Sequence, residues 1–222
     1  MKTEYIRRVP IFETLTEAEF KTLEHVFVVR SYKRNQVILL EEETGKFMYI
    51  VLAGKIKVTK STEGGKENLL AIHQAGDFFG EMALLDGRTS PATVSAMEDC
   101  RIILIASADF YNYLMRNEKV VQQIIQVLCS RLRHAWGQLQ RLTYGTAEAR
   151  IGAGLMQLAK RHGVHDARGI IINLRITHQE LAEMVGTARE TVTRTLAALK
   201  KSGAIQIEHR RIVILNPRAL TP

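Results

Sequence analysis

The chain is poor in the features that would carry it out of the cytoplasm or make it an enzyme. Among 222 residues there are two cysteines, Cys100 and Cys129, without CxxC spacing, so neither a zinc site nor a disulfide framework is indicated and a reducing, cytoplasmic setting follows. The segment from Met1 to Pro10 lacks the uninterrupted apolar core of a signal peptide, and no run of about eighteen apolar residues occurs, so no membrane contact is expected. A P-loop, an H-E-x-x-H sequence, a dinucleotide fingerprint and a nucleophile–base pair are all missing, which argues against an enzyme. Acidic residues are in deficit, 23 against 31 Lys and Arg, for a net charge of +8. With 46% hydrophobic and 24% charged residues the chain is globular rather than disordered or collagen-like. Its length suggests one large or two small domains at roughly 100–200 residues each.

The positive charge is unevenly placed. Residues 1–144 carry 19 basic and 17 acidic side chains, a net +2, whereas residues 145–222 carry 12 and 6, a net +6. The excess that favours an anionic partner therefore sits in the last third. From Val26 to about Ile105, short β-branched and aromatic runs recur between Gly- and Asp-containing turns. The clearest are Phe47–Leu52, Lys55–Thr59, Asn68–Ile72, Ala92–Ala96 and Arg101–Ile105, with Glu63-Gly64-Gly65 as the hairpin tip joining the second to the third. This spacing argues a small antiparallel barrel or jelly roll, preceded by a short helix that Thr16 caps.

One long helix follows over about Glu118–Thr143, roughly 35–40 Å at about 1.5 Å per residue. Val121, Ile125, Leu128, Leu132, Ala135, Leu139 and Leu142 alternate spacings of 4 and 3, the seam of a coiled coil. Val120, Ile124 and Val127 form a second stripe able to face the barrel. The seam predicts a parallel homodimer; burial of the whole helix within its own domain is the other reading. Gly145-Thr146 breaks the helix and sets a boundary at Tyr144-Gly145. The expected units are a barrel over 1–117, the dimerisation helix over 118–144 and a third unit over 145–222. Within the third, Thr146 caps a helix from Ala147 to about Arg161, Arg161–Gly169 reads as a loop, and Ile170–Leu174 as a strand.

The densest signal is Thr177–Leu199. Thr177 with Glu180, and Thr187 with Glu190, both fit the capping-box pattern, marking two helix starts ten residues apart. Gly186 permits the turn between them. Leu181, Met184 and Val185 on the first helix and Val192, Leu196 and Leu199 on the second supply facing apolar stripes, so the segment is a helix-turn-helix. Its second helix offers Arg189, Glu190, Thr193 and Arg194 near the N-terminus, where a recognition helix meets base edges; His178 and Gln179 open the first. Arginine can bond guanine O6 and N7, and glutamate can accept from cytosine N4, which suits a half-site containing G·C pairs. A face of solvated charges is the bland alternative. Ala204–Ile207 and Arg211–Leu215 then form a hairpin, making the domain winged, with Arg210 and Arg211 at its tip either for phosphate contact or as plain surface. The overall class is α+β.

This order, β jelly roll, long helix and winged helix-turn-helix, resembles the cyclic-AMP receptor protein and fumarate-nitrate reductase regulator (Crp/Fnr) superfamily of bacterial transcription regulators over essentially the whole chain. The run Ile176–Arg194, with its Arg189-Glu190-Thr191-Val192 core, is similar to the receptor-protein branch. That likeness implies that a homodimer reads an inverted repeat of TGTGA-like half-sites in double-stranded DNA through Arg189, Glu190 and Arg194, with RNA polymerase as a protein partner. Tyr49–Gly54 and Phe79–Val94 resemble the strand signature and phosphate cassette of a cyclic-nucleotide-binding domain. The resemblance then implies an effector site of Gly80, Glu81, Met82, Arg88, Thr89, Ser90, Pro91 and Trp136. Gly80 and Glu81 match the cassette, but its arginine position holds Ser90, followed by Pro91, with Arg88 two residues early. Ala135 and Trp136 replace the nucleotide-sensing hydroxyls of the long helix. These departures speak against cyclic AMP and point to another small effector, or to none, with Arg88 as a substitute phosphate contact. Trp136 can stack on a planar ligand or simply pack. Haem through His73, His25 or Met48 is the lesser alternative, and an iron–sulfur cluster is not expected because the first cysteine is Cys100. A ligand-independent DNA-binding regulator is the main rival.

Overall fold

The computed structural model describes the backbone of residues 4–7, 9–61, 67–208 and 211–220, with side chains except at 4–5 and 138–144. The chain forms two compact units, Met1–Arg133 and His134–Pro222, so the division falls within the long helix. Among the described residues no helix is long and apolar enough to cross a membrane.

The first unit opens with α1 (Glu4–Arg7) and α2 (Glu17–Leu23). Thr16 and Glu19 close a full capping box at the start of α2. Strands β1 (Val28–Tyr32), β2 (Val37–Leu39), β3 (Phe47–Ala53), β4 (Lys55–Ser61), β5 (Glu67–Gln74) and β6 (Phe78–Phe79) come next. Helix α3 (Glu81–Asp86), β7 (Thr93–Ala96) and β8 (Cys100–Ala106) complete the barrel. A turn of helix, α4 (Ser107–Asp109), runs into a π-helical stretch, Phe110–Leu114, and then α5 (Glu118–Tyr144). The strands form two antiparallel sheets, ordered β1-β8-β3-β6 and β2-β7-β4-β5, as a jelly roll requires. The predicted hairpin of β4 with β5 is present; its tip, Glu63-Gly64-Gly65, lies outside the described residues.

The central strands β3 and β8 are covered on both faces, which explains why they read as nearly continuous apolar runs. Met48, Ile50, Ile103 and Ile105 point to one side, where they meet Phe12, Phe20, Phe27, Phe110 and Leu114. Tyr49, Val51, Ile102 and Leu104 point to the other and meet Leu39, Ile56, Val94 and Ala96 inside the barrel. Helix α5 joins the first cluster through Val120 and Ile124, with Val127 and Leu128 partly buried against it. Lys119 adds an ion pair to Glu19, 3.0 Å. The Glu19 carboxyl is held at about 2, first by the Thr16 backbone N–H and then by the Thr16 hydroxyl and Lys119. Of the seam, Leu128 is thus partly covered by its own unit, while Ile125 is 53% and Leu132 50% exposed; Trp136, next to the seam, is 59% exposed. The side chains of Leu139 and Leu142 lie outside the described residues.

In the second unit, Thr146 caps α6 (Ala147–His162) by accepting from Ala149 N–H. There follow β9 (Gly163–Asp166), β10 (Gly169–Ile172), α7 (His178–Val185), α8 (Arg189–Lys201), β11 (Ile205–Glu208) and β12 (Arg211–Ile214). The sheet order is β11-β12-β10-β9. Two sequence expectations are corrected. The supposed loop Arg161–Gly169 contains the last turn of α6 and β9. That strand is a sheet edge with β10 as its partner and needs no apolar alternation, and the Asp166 carboxylate fixes the Ala167-Arg168 turn by accepting from the N–H groups of Arg168 and Gly169. The strand expected over Ile170–Leu174 ends at Ile172, because Asn173 N–H donates to His162 and Leu174 N–H turns back to Ile172.

Helix α6 packs against α7, α8 and the final turn Pro217–Leu220. A β-carbon on Gly152 would lie 2.3 Å from the Leu220 carbonyl oxygen, and one on Gly154 would lie 2.6 Å from Val185 Cγ1. We expect Gly152→Ala to lower stability to chemical denaturation, because overpacking costs about 1–3 kcal/mol against a helix-propensity gain of about 1 kcal/mol. An unchanged or raised midpoint would show that Leu220 yields freely.

Candidate functional site

The second unit presents a polar helical face. Helix α7 starts from the predicted capping box: Thr177 N–H donates to Glu180 Oε2 at 2.8 Å and Glu180 N–H to Thr177 Oγ1 at 3.1 Å. It ends at Gly186, whose φ of 65° is left-handed and whose N–H returns to the Ala182 carbonyl. The second predicted capping box is not formed. Thr187 N–H also returns to Ala182, 3.0 Å, so Thr187 belongs to the end of α7, and Ala188 becomes the N-cap of α8 with no side-chain cap. Glu190 is thereby released from capping.

Arg189, Glu190, Thr193 and Arg194 are all exposed, while Val192, Thr195 and Leu196 are buried. The exposed four are spaced 1, 3 and 1, which sets them on one helical face. Three of the residues expected at the DNA have partners within the unit as well. His178 Nδ1 lies 2.9 Å from Thr193 Oγ1, and that hydroxyl donates to the Arg189 carbonyl at 3.0 Å, bracing α7 against α8. Gln179 is exposed and donates to Glu183. Arg211 is exposed at the start of β12, opposite Glu208; Arg210 lies outside the described residues.

Two arginines of this unit escaped the sequence reading. Arg168 joins both Asp166, 2.7 Å, and Glu208, 2.8 Å, linking the β9–β10 turn to the wing strand and holding the Asp166 carboxyl below its ordinary range. Arg150 donates to the carbonyls of Gly145, Val185 and Gly186. Val185 and Gly186 for Arg150 and Glu208 for Arg168 are distant in sequence, and only the basic residue type could have hinted at those links.

In the first unit, Gly80 adopts φ 79° at the start of α3, with Tyr49 packed where a β-carbon would stand. Glu81 is 2% exposed. Its carboxylate is met by Arg131 of α5 at 2.8 Å; the same guanidinium bonds the Phe78 carbonyl and lies 4.8 Å from the Phe78 ring centroid. Burial pushes the Glu81 carboxyl up and Arg131 opposes it. Ser90 is buried and donates to the Ala92 carbonyl, while Met82, Arg88, Thr89 and Pro91 are exposed. Tyr111 hydroxyl donates to the Leu84 carbonyl, tying α3 at its other end. Of the residues considered for haem, His73 stacks on Phe79, His25 stands edge-on to Tyr113, and Met48 is fully buried in the core.

Residues 29–117 match the cyclic nucleotide-binding domain family and residues 149–222 the Crp-like helix-turn-helix domain family. The chain is 31% identical over 198 residues to the cyclic AMP receptor protein of Thermus thermophilus, covering 89% of this chain and 88% of that one. It is 26% identical over 217 residues to a CRP-like cAMP-activated global transcriptional regulator of Mycobacterium tuberculosis, covering 98% and 97%. Among solved structures, a CRP/FNR-family transcriptional regulator from Thermus thermophilus superposes with TM-score 0.71 at 27% identity, over 87% of this chain and 96% of that one. FixK2 of Bradyrhizobium japonicum shares the fold with TM-score 0.77 at 24% identity, over 88% and 96%.

The Glu81–Arg131 pair gives a stability prediction. Arg131→Met leaves a buried carboxylate without its cation, which costs about 3–5 kcal/mol near neutral pH. A carboxyl whose folded pKa is raised stabilises the fold least once pH climbs above the ordinary carboxylate range. The loss should therefore shrink as pH is lowered into that range, and Glu81→Gln added to Arg131→Met should restore much of the neutral-pH stability. Urea melts at two pH values check both statements.

Proposed function

We infer the function from one premise: the chain belongs to the Crp/Fnr family of transcription regulators, with a cyclic nucleotide-binding domain followed by a Crp-like helix-turn-helix domain. The finer reading is of a homodimer that binds an inverted repeat with TGTGA-like half-sites under control of the barrel. The observation that carries it is the single exposed face of α8 bearing Arg189, Glu190 and Arg194. The two arginines offer paired donors to guanine and Glu190 an acceptor to cytosine, a set that suits alternating G·C pairs. Exposed Ile125 and Leu132 on α5 support pairing with a second copy along the heptad seam. The two recognition helices would then enter successive major grooves about 34 Å apart. RNA polymerase is the protein partner this reading assigns.

For the effector, the cassette argues against cyclic AMP, the activator named for the mycobacterial relative. A cyclic phosphate needs a cation inside the site, and Ser90 stands where the cassette arginine would be, its hydroxyl committed to Ala92. Arg88 is exposed. Glu81 is already neutralised by Arg131 without any ligand. That closed pair also favours the second reading, a regulator that needs no effector. Where an effector does act, it works by favouring one of two dimer arrangements, through differential affinity.

Three outcomes are expected. Arg189→Ala should cost about 1–3 kcal/mol at one base position and relax discrimination there; equal specific-to-scrambled ratios for variant and parent would remove the assignment. Leu132→Glu should turn the dimer into a monomer in analytical ultracentrifugation. Isothermal calorimetry should show no submicromolar binding of cyclic AMP, and native mass spectrometry of protein from its host would separate the effector reading from the effector-free one.

A further inference from the structure

We propose that Arg150 is a positioning residue for DNA recognition: it locks the break after the long helix to the turn of the helix-turn-helix, and so fixes the half-site spacing that the dimer accepts. One guanidinium serves three backbone carbonyls, Nη1 to Gly145 at 2.8 Å, Nε to Val185 at 3.0 Å and Nη2 to Gly186 at 2.9 Å. Gly145 is the residue between the end of α5 at Tyr144 and the N-cap Thr146 of α6. Val185 and Gly186 close α7 and lead within three residues to Arg189.

The chemistry fits that role. The last carbonyls of a helix lack intrahelical partners and carry the negative end of its dipole, so a cation there is stabilising. A guanidinium is planar and presents its donors in a rigid fork, so carbonyls bound to it share a fixed geometry; an ammonium is a compact point charge. The same corner is fixed a second time, since the absent side chain of Gly154 lets α6 sit directly on Val185 and Met184. Val185 is thus held by its carbonyl and by its side chain. The Gly145 carbonyl lies in the planar peptide it shares with Thr146, so a rotation at Thr146 must either drag the turn before α8 with it or break the Nη1 bond. The peptide that leaves the long helix and the turn that leads to the reading face are thereby held to one guanidinium.

The proposal rests on the inverted-repeat reading above, and the experiment separates the two. Fluorescence anisotropy is run on duplexes carrying two TGTGA half-sites with the spacer lengthened in single base-pair steps, and on scrambled duplex. Arg150→Lys keeps the charge and helix propensity, and Arg150→Gln serves as a second variant; thermal melting reports folding. If the parent binds no duplex better than scrambled DNA, the half-site reading fails. If the parent discriminates among spacers, Arg150→Lys should lower affinity for the best spacer about tenfold and flatten the spacer preference by a similar factor, with scrambled DNA bound about equally. A spacer profile identical to the parent's, with only the melting temperature reduced, would overturn the proposal and leave Arg150 a stabilising residue. A salt slope lower by about 0.9 with the profile unchanged would overturn it in favour of direct phosphate contact.

Discussion

A helix with two apolar stripes can bury only one of them against its own domain. That constraint governs the first unit. Helix α5 spends Val120 and Ile124 on the barrel core, where they meet the aromatic cluster of the N-terminal segment. Ile125, Leu132 and Trp136 remain in water. Each large side chain fully buried is worth about 1.5–3 kcal/mol, so a stripe of several left exposed is a standing drive toward association. The barrel supplies the opposite requirement. Its central strands need cover on both faces, and α5 provides part of that cover; one helix therefore answers to the core of its own unit and to the demand of its outer stripe.

Polar links reinforce this arrangement at the cassette. Helix α3 is joined to α5 through Glu81 and Arg131, and to the π-helical stretch before α5 through Tyr111. A buried carboxylate is costly without its cation, so α5 and α3 are coupled by the cost of separating them. The cassette helix is thus joined directly to the long helix and to the stretch before it, with no ligand needed to make the link.

Much of this was legible in the sequence. The apolar runs of β3 and β8, the 4-3 spacing on α5, the cap at Thr16 and the capping box at Thr177 are local patterns, and local patterns survive into the fold. The failures share a cause. Thr187-x-x-Glu190 has the composition of a capping box, but the N–H of Thr187 is claimed by Ala182 in closing the preceding helix, and two helix ends separated by so short a turn compete for the same backbone. The edge strand β9 shows no alternation because it has no face to bury. Arg131, Arg150 and Arg168 each reach a partner 50, 35 and 40 residues away, at Glu81, Val185 and Glu208, and no spacing rule reaches that far. The cassette departures at Ser90 and Pro91 were visible, whereas the internal neutralisation of Glu81 was not.

The acidic residues of the DNA-binding unit sharpen the meaning of its charge. Asp166 and Glu208 grip Arg168, Glu180 closes a capping box, and Glu183 accepts from Gln179. Glu148 and Glu190 stand in the first turns of α6 and α8, where the helix dipole tolerates them, and Glu190 alone of the six shares the exposed face with Arg189 and Arg194. A carboxylate facing a polyanion weakens binding to every sequence except one that offers it a donor in the groove. The basic excess of +6 in residues 145–222 supplies attraction to any duplex. In the proposed half-site reading Glu190 makes wrong duplexes worse, and discrimination by penalty adds to discrimination by contact. Its release from capping matters to that reading, which needs a side chain not held to its own helix start.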